Sequence, residues 1–170
     1  MATKRQFQRI TKKQIEERPK KGIAVDGSSL GNPGESRCKI VNIDTMECLM
    51  LTDPFHGTNN LAEYLALTYG IYFAFKLGVD IVYSDSHTAQ VWVANGSINT
   101  SLPRDNKSKD VYDRLYKARK FMSKCDVNKD IELATLFISH PSKFPDYQIQ
   151  VVQWNTARWG ENIADLGFKK

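Results

Sequence analysis

Residues 60–77 are apolar on almost every side, and this constrains the fold more than any other feature of the chain. Leu61, Leu65, Tyr69, Tyr72 and Phe73 recur at helical spacing, while Leu67, Gly70 and Ala74 keep a second side small. A helix so patterned is buried rather than laid on a surface. It is expected to be capped by Asn59 or Asn60 and to end at Gly78. The residues before it read as strands. Residues 22–28 form a short apolar run, followed by turn chemistry in Leu30-Gly31-Asn32-Pro33-Gly34. Residues 36–43 and 47–52 are joined through Asp44-Thr45, which predicts a hairpin and an antiparallel three-strand meander.

After the long helix, residues 80–84 read as a buried strand parallel to the first, because a helical crossover precedes it. A short helix is expected over 86–94, closing at Asn95-Gly96. Another is expected over 110–124, with Val111, Leu115, Ala118 and Met122 at helical spacing. Residues 149–154 alternate like a last strand, and 161–169 read as a terminal helix. The region 128–147 has no decisive period: 131–138 suits helix or strand, and Pro141 and Pro145 break the stretch after it. The fold class is α/β with a mixed sheet.

The net charge of +5 is unevenly placed. Residues 1–21 hold eight basic side chains against Glu16 and Glu17, whereas the rest is close to neutral. Residues 1–20 therefore read as a basic, flexible arm with a short helix near 11–18, and 21–170 as the folded domain. Such an arm either stays solvated or holds a polyanion through counterion release. No stretch approaches a membrane span, and no secretory h-region is evident. Cys38, Cys48 and Cys125 lack metal-type spacing, and an odd number argues against a disulfide framework. Cys38 and Cys48 are expected to act as small apolar fillers. These features predict a cytoplasmic monomer with no membrane partner.

Four acids stand out: Asp26 in Val25-Asp26-Gly27-Ser28, Glu63 in Thr58-Asn59-Asn60-Leu61-Ala62-Glu63, Asp85 in Tyr83-Ser84-Asp85-Ser86, and Asp165 in Asn162-Ile163-Ala164-Asp165. Each has a plainer use. Asp26 suits a turn, Glu63 the first turn of a helix, Asp85 a cap for the helix at Ser86, and Asp165 a helix surface. Four such coincidences are the weaker account. Carboxylates gathered from distant elements repel one another and need cations, and hard oxygen donors suit Mg²⁺ or Mn²⁺.

In this order the neighbourhoods resemble those of the ribonuclease H family, from about Gly22 to Lys170. Asp26-Gly27-Ser28-Ser29-Leu30-Gly31-Asn32-Pro33-Gly34 resembles its first-strand motif, and Thr58-Asn59-Asn60-Leu61-Ala62-Glu63 its central-helix motif. Tyr83-Ser84-Asp85-Ser86 resembles its fourth-strand motif. Gly160-Glu161-Asn162-Ile163-Ala164-Asp165 resembles its terminal Gly-Asn-Glu-x-Ala-Asp segment. The resemblance implies a five-stranded sheet, three strands antiparallel and two parallel, with helices on both faces. It implies endonucleolytic cleavage of the RNA strand of RNA–DNA hybrids with two Mg²⁺ ions, Mn²⁺ being a possible substitute. Asp26, Glu63, Asp85 and Asp165 would be both metal ligands and catalytic groups. Asn32, Asn59 and Asn60 would meet the minor groove, where 2′-hydroxyls distinguish RNA from DNA. Thr58 would touch a DNA-strand phosphate, and His87 is a further candidate contact. Other readings are a 3′–5′ exonuclease or resolvase on the same fold, or a catalytically weak hybrid-binding module.

The chain departs from the family at two places. Ten positions before Asp165, where the family has a mobile histidine, stands Asn155. Asparagine orients water or phosphate but cannot shuttle a proton as imidazole does. Activity is therefore expected to survive, with slower turnover or a different metal preference, because the metals would supply most of the effect. The connection 96–109 is short and lacks the tryptophans of the basic protrusion found in some members. The basic arm is a candidate substitute.

Overall fold

The computed structural model describes residues 10–123, 126–132, 135–140 and 144–165. Strands β1 (Ile23–Ser29), β2 (Gly34–Asn42) and β3 (Glu47–Leu51) form the expected antiparallel meander. The β2–β3 turn is wider than Asp44-Thr45, because Asn42 pairs with Glu47 and Met46 takes φ 61°. A short strand β4 (Phe55–Gly57), which the sequence did not announce, pairs antiparallel with the start of β2. Strand β5 (Ile81–Ser84) runs parallel to β1, and β8 (Phe144–Gln153) runs parallel to β5. These two strands complete the expected arrangement of three antiparallel and two parallel strands.

The sheet nevertheless has eight strands rather than five. Its order is β3-β2-β1-β5-β8-β7-β6, where β6 (Asp126–Glu132) and β7 (Thr135–His140) extend the β8 edge antiparallel. The described residues of the ambiguous region 128–147, namely 128–132, 135–140 and 144–147, are thus strand, their register set by partners rather than by their own periodicity. Pairing with β8 supplies the hydrogen bonds that a period-poor segment cannot organise alone.

Helix α2 (Asn59–Leu77) follows β4, after the short helix α1 (Lys12–Glu17) in the arm. The cap of α2 is Thr58, whose Oγ1 accepts from Leu61 N at 3.2 Å, rather than either asparagine. Gly78 ends the helix in the left-handed region at φ 68°. Leu61, Leu65, Leu67 and Ile71 are fully buried against Ile23 and Val25 of β1 and Val82 of β5. Each such side chain contributes about 1.5–3 kcal/mol by leaving water. Helices α3 (His87–Asn95) and α4 (Lys109–Met122) pack into the same cluster.

The other face carries a smaller core of Ala24, Val41, Ile43, Tyr83, Trp154, Ile163 and Ala164, against which Trp159 of helix α5 (Thr156–Trp159) packs. Helices therefore lie on both faces. The terminal helix expected over 161–169 is corrected: residues 161–165 form a turn closed by Asp165 N–H to the Asn162 carbonyl at 2.9 Å, and 166–170 lie outside the described residues. Cys38 is buried as expected, but Cys48 is exposed on β3 and fills no core. The basic arm is divided. Residues 1–9 lie outside the described residues, whereas α1 forms where a short helix was expected, with a Thr11–Gln14 capping box.

Candidate active site

The site begins with a missing side chain. A Cβ on Gly27 would lie 2.2 Å from the Ala62 carbonyl carbon and 2.4 Å from Glu63 N, so only glycine lets β1 and α2 approach this closely. That approach lets Gly27 N–H donate to Glu63 Oε1 at 2.6 Å, beside Asp26. Gly70 does the same further along α2, where a Cβ would meet Val25 Cγ1 at 2.3 Å.

The plainer uses of the four acids do not hold. Asp26 sits within β1, opposite Lys39 of β2, not in a turn. Glu63 lies beyond the first turn of α2, which contains no acidic residue. Asp85 does not cap α3, because Ser86 Oγ accepts from Ala89 N at 3.0 Å. Asp165 sits in the 161–165 turn. All four line one cavity of about 500 Å³, together with Asn59, Gln153, Thr156, Gly160, Glu161 and Asn162.

Burial, then the charges of Glu63 and Asp165, hold the Asp26 carboxyl well above the usual carboxylate range. Asp26 and Asp165 are near enough to share a hydrogen bond. Burial pushes Glu63 up to about 8, although the Gly27 N–H opposes the shift. Burial also raises Asp85, against the opposing amide of Asn162. Buried, mutually repelling carboxylates favour either a proton or a bound cation. Among the described residues no three His, Cys, Asp or Glu side chains form a ready-made metal group. The donor chemistry, hard carboxylate oxygens gathered around one cavity, fits Mg²⁺ or Mn²⁺.

Three polar side chains brace Asp85. Buried Asn162 donates through Nδ2 to Asp85 Oδ2 at 2.9 Å and to the Val25 carbonyl at 3.0 Å, while its Oδ1 accepts from Ala164 N. Gln153 Nε2 donates to the Asp85 carbonyl at 2.9 Å, and the fully buried Gln90 donates to Gln153 Oε1 at 2.8 Å. The available signal was the reversed order Glu161-Asn162 within the terminal motif; Gln90 and Gln153 had none.

Candidate substrate residues are placed unevenly. Asn32 Oδ1 accepts from Asn59 N at 3.0 Å, joining the β1–β2 turn to the start of α2. Asn32, Asn59 and Asn60 are exposed at this rim, and Asn59 reaches the cavity. Thr58 is occupied as the α2 cap. His87 is exposed on the first turn of α3 and is not among the described residues that line the cavity. Nor is Asn155: its Oδ1 accepts from Arg158 N at 3.0 Å and caps α5. Trp154 and Trp159 hold that loop from beneath, in edge contact at 5.1 Å and each against Tyr83. Trp154 Nε1 donates to the Gly160 carbonyl at 2.8 Å.

No family model matches the chain. Among solved structures it is similar to the N-terminal RNase H domain of a Mycobacterium tuberculosis protein, at 26% identity over 60% of this chain and 78% of that one, with a TM-score of 0.37. It is similar to RNase H1 from Halobacterium salinarum at 27% identity, over 60% and 76% of the two chains, with a TM-score of 0.36. An RNase H1 isolated from compost by a metagenomic approach, solved with an RNA/DNA hybrid, matches at 24% identity over 58% and 75%, with a TM-score of 0.35. On its own strand order and directions, the chain is an α/β fold with a mixed sheet, an antiparallel meander joined to two parallel strands.

Proposed function

We propose that the protein hydrolyses the RNA strand of RNA–DNA hybrids as a metal-dependent endonuclease. One observation carries the reading: four carboxylates from four separate segments share one cavity. In this reading Asp26, Glu63, Asp85 and Asp165 hold two divalent ions, Mg²⁺ or Mn²⁺. When bound, such ions lower the pKa of an attacking water and neutralise the leaving oxygen. Phosphoryl chemistry needs positioning and charge neutralisation more than a protein nucleophile.

The chain's own residues supply the positioning. Asn162 holds Asp85 toward β1, and the Gly27 N–H holds Glu63 beside Asp26. The asparagine rim at 32, 59 and 60 offers amide donors and acceptors to 2′-hydroxyls and base edges, the groups that separate RNA from DNA. Asn155, engaged as a cap, acts on the loop's shape rather than on a proton. No described helix is long and apolar enough to cross a membrane, and a cytoplasmic monomer is part of the proposal.

The test is incubation with Mg²⁺ or Mn²⁺ and labelled RNA–DNA, RNA–RNA and DNA–DNA duplexes, with Asp26→Asn alongside. Internal cuts confined to the RNA of the hybrid, lost in the variant, are expected. Cuts only from a 3′ end would make it an exonuclease. Hybrid binding without cleavage would make it a binding module.

A further inference from the structure

The basic arm does not hang free of the carboxylate cavity. Ile10 and Gln14 line it, facing Thr156, Gly160 and Glu161. Gln14 and Glu17 lie a turn apart on α1, Ile10 just precedes its cap, and all three meet the α5 segment. A Cβ on Gly160 would sit 3.1 Å from both Ile10 Cγ2 and Gln14 Oε1, and Glu17 Oε1 lies 3.8 Å from Arg158 Nε. Gln14 Oε1 is taken by Thr11 N–H at 2.9 Å, as half of the capping box. Among the described residues its Nε2 donates to nothing. Gln14 thus brings an amide with a spare donor to the edge of the carboxylate cavity, and Lys12 and Lys13 stand exposed on the same short helix.

We infer that residues 10–17 form one wall of the substrate groove, and that Gln14 Nε2 donates to a phosphate oxygen of the nucleic-acid strand lying over the carboxylates. This rests on the proposed function and adds a contact that the arm's charge alone does not supply. Non-bridging phosphate oxygens only accept hydrogen bonds, so the contact requires a donor and excludes a carboxylate. Lys12 and Lys13 add counterion release to the same strand.

Two substitutions separate contact from scaffold. Gln14→Glu keeps an oxygen for Thr11 N–H and so preserves the capping box, but replaces the donor by a negative charge. Gln14→Ala removes the capping oxygen and adds no charge. Each is measured for Tm and for Kd on a labelled RNA–DNA hybrid, in an Asp26→Asn background that prevents cutting. The expected result is a Kd raised about tenfold or more by Gln14→Glu, a smaller rise with Gln14→Ala, and a lower Tm only for Gln14→Ala. Binding that follows Tm, with Gln14→Ala the weaker, reduces Gln14 to a scaffold residue and overturns the inference. So does parental affinity in both. A parent that binds the hybrid while Gln14→Glu is silent leaves the proposed function standing; a parent that does not bind overturns both.

Discussion

Asn162 donates its Nδ2 to Asp85 Oδ2 at 2.9 Å across 77 residues of sequence, and the same nitrogen reaches the Val25 carbonyl beside Asp26. One buried amide therefore ties the end of β5, the middle of β1 and the Asp165 turn together. An amide serves here where another carboxylate would add repulsion to a cavity already lined by five.

Removing that tie should cost both stability and chemistry. Asn162→Ala strands the buried Val25 carbonyl and Ala164 N–H, a loss of about 1–3 kcal/mol. It also frees Asp85 to swing, so hybrid cleavage should fall by about tenfold or more. Urea unfolding and cleavage rates check this. An unchanged urea midpoint would show that Asn162 is a bystander.

Stability of the metal-free protein should fall as pH rises. Glu63 titrates near 8 in the folded protein against an ordinary 4.5, and Asp26 and Asp85 are also raised. Between those values the folded state binds more protons than the unfolded state, so the folded state is favoured at the acid end and loses that advantage as pH climbs through about 8. In EDTA the urea midpoint at about pH 5 should exceed that at about pH 8, and saturating Mg²⁺ should flatten the difference. A midpoint that rises with pH in EDTA refutes the burial of these acids.

Gly27→Ala places a methyl group against the Ala62 and Glu63 backbone, where no side chain can yield. The strand and helix must separate, which should destabilise by about 3 kcal/mol or more and detach Glu63 from its Gly27 donor. Gly78→Ala meets nothing within 4 Å and is strained only by its φ of 68°. Its cost should be about 1 kcal/mol. Equal costs in denaturant titrations would remove the close-approach argument.

Asn155→Ala should lower stability by about 1 kcal/mol through loss of the α5 cap, while cleavage stays within a few-fold of parent. Asn155→His, which supplies the imidazole that the family's loop carries, tests the opposite idea. A gain in kcat under Mg²⁺ with that variant would return the position to the chemistry.

Much of the scaffold was legible because its signals are local. The apolar wrap of 60–77, the Gly78 stop and the strand-and-turn pattern of β1 to β3 depend on neighbours a few residues away, and they survive in the structure. The four acids were legible for a related reason: each lies within a short motif whose local backbone places it. By contrast, β7 takes its register from β8 and β6 from β7, so their own sequence shows little period.

The buried helix and the meander could be read from the order of residues, because strand and helix periods and turn chemistry are written between near neighbours. The four acids were singled out by short motifs that resemble those of a known family. Three-dimensional packing was needed to show that Asn162 clamps Asp85, that Gln90 and Gln153 brace it, that Asn155 caps a helix, and that the arm walls the cavity at Gln14. Most of those contacts join segments far apart in the chain. A hydrogen bond made across such a distance imposes no spacing on the residues around it, and so it leaves no pattern to read.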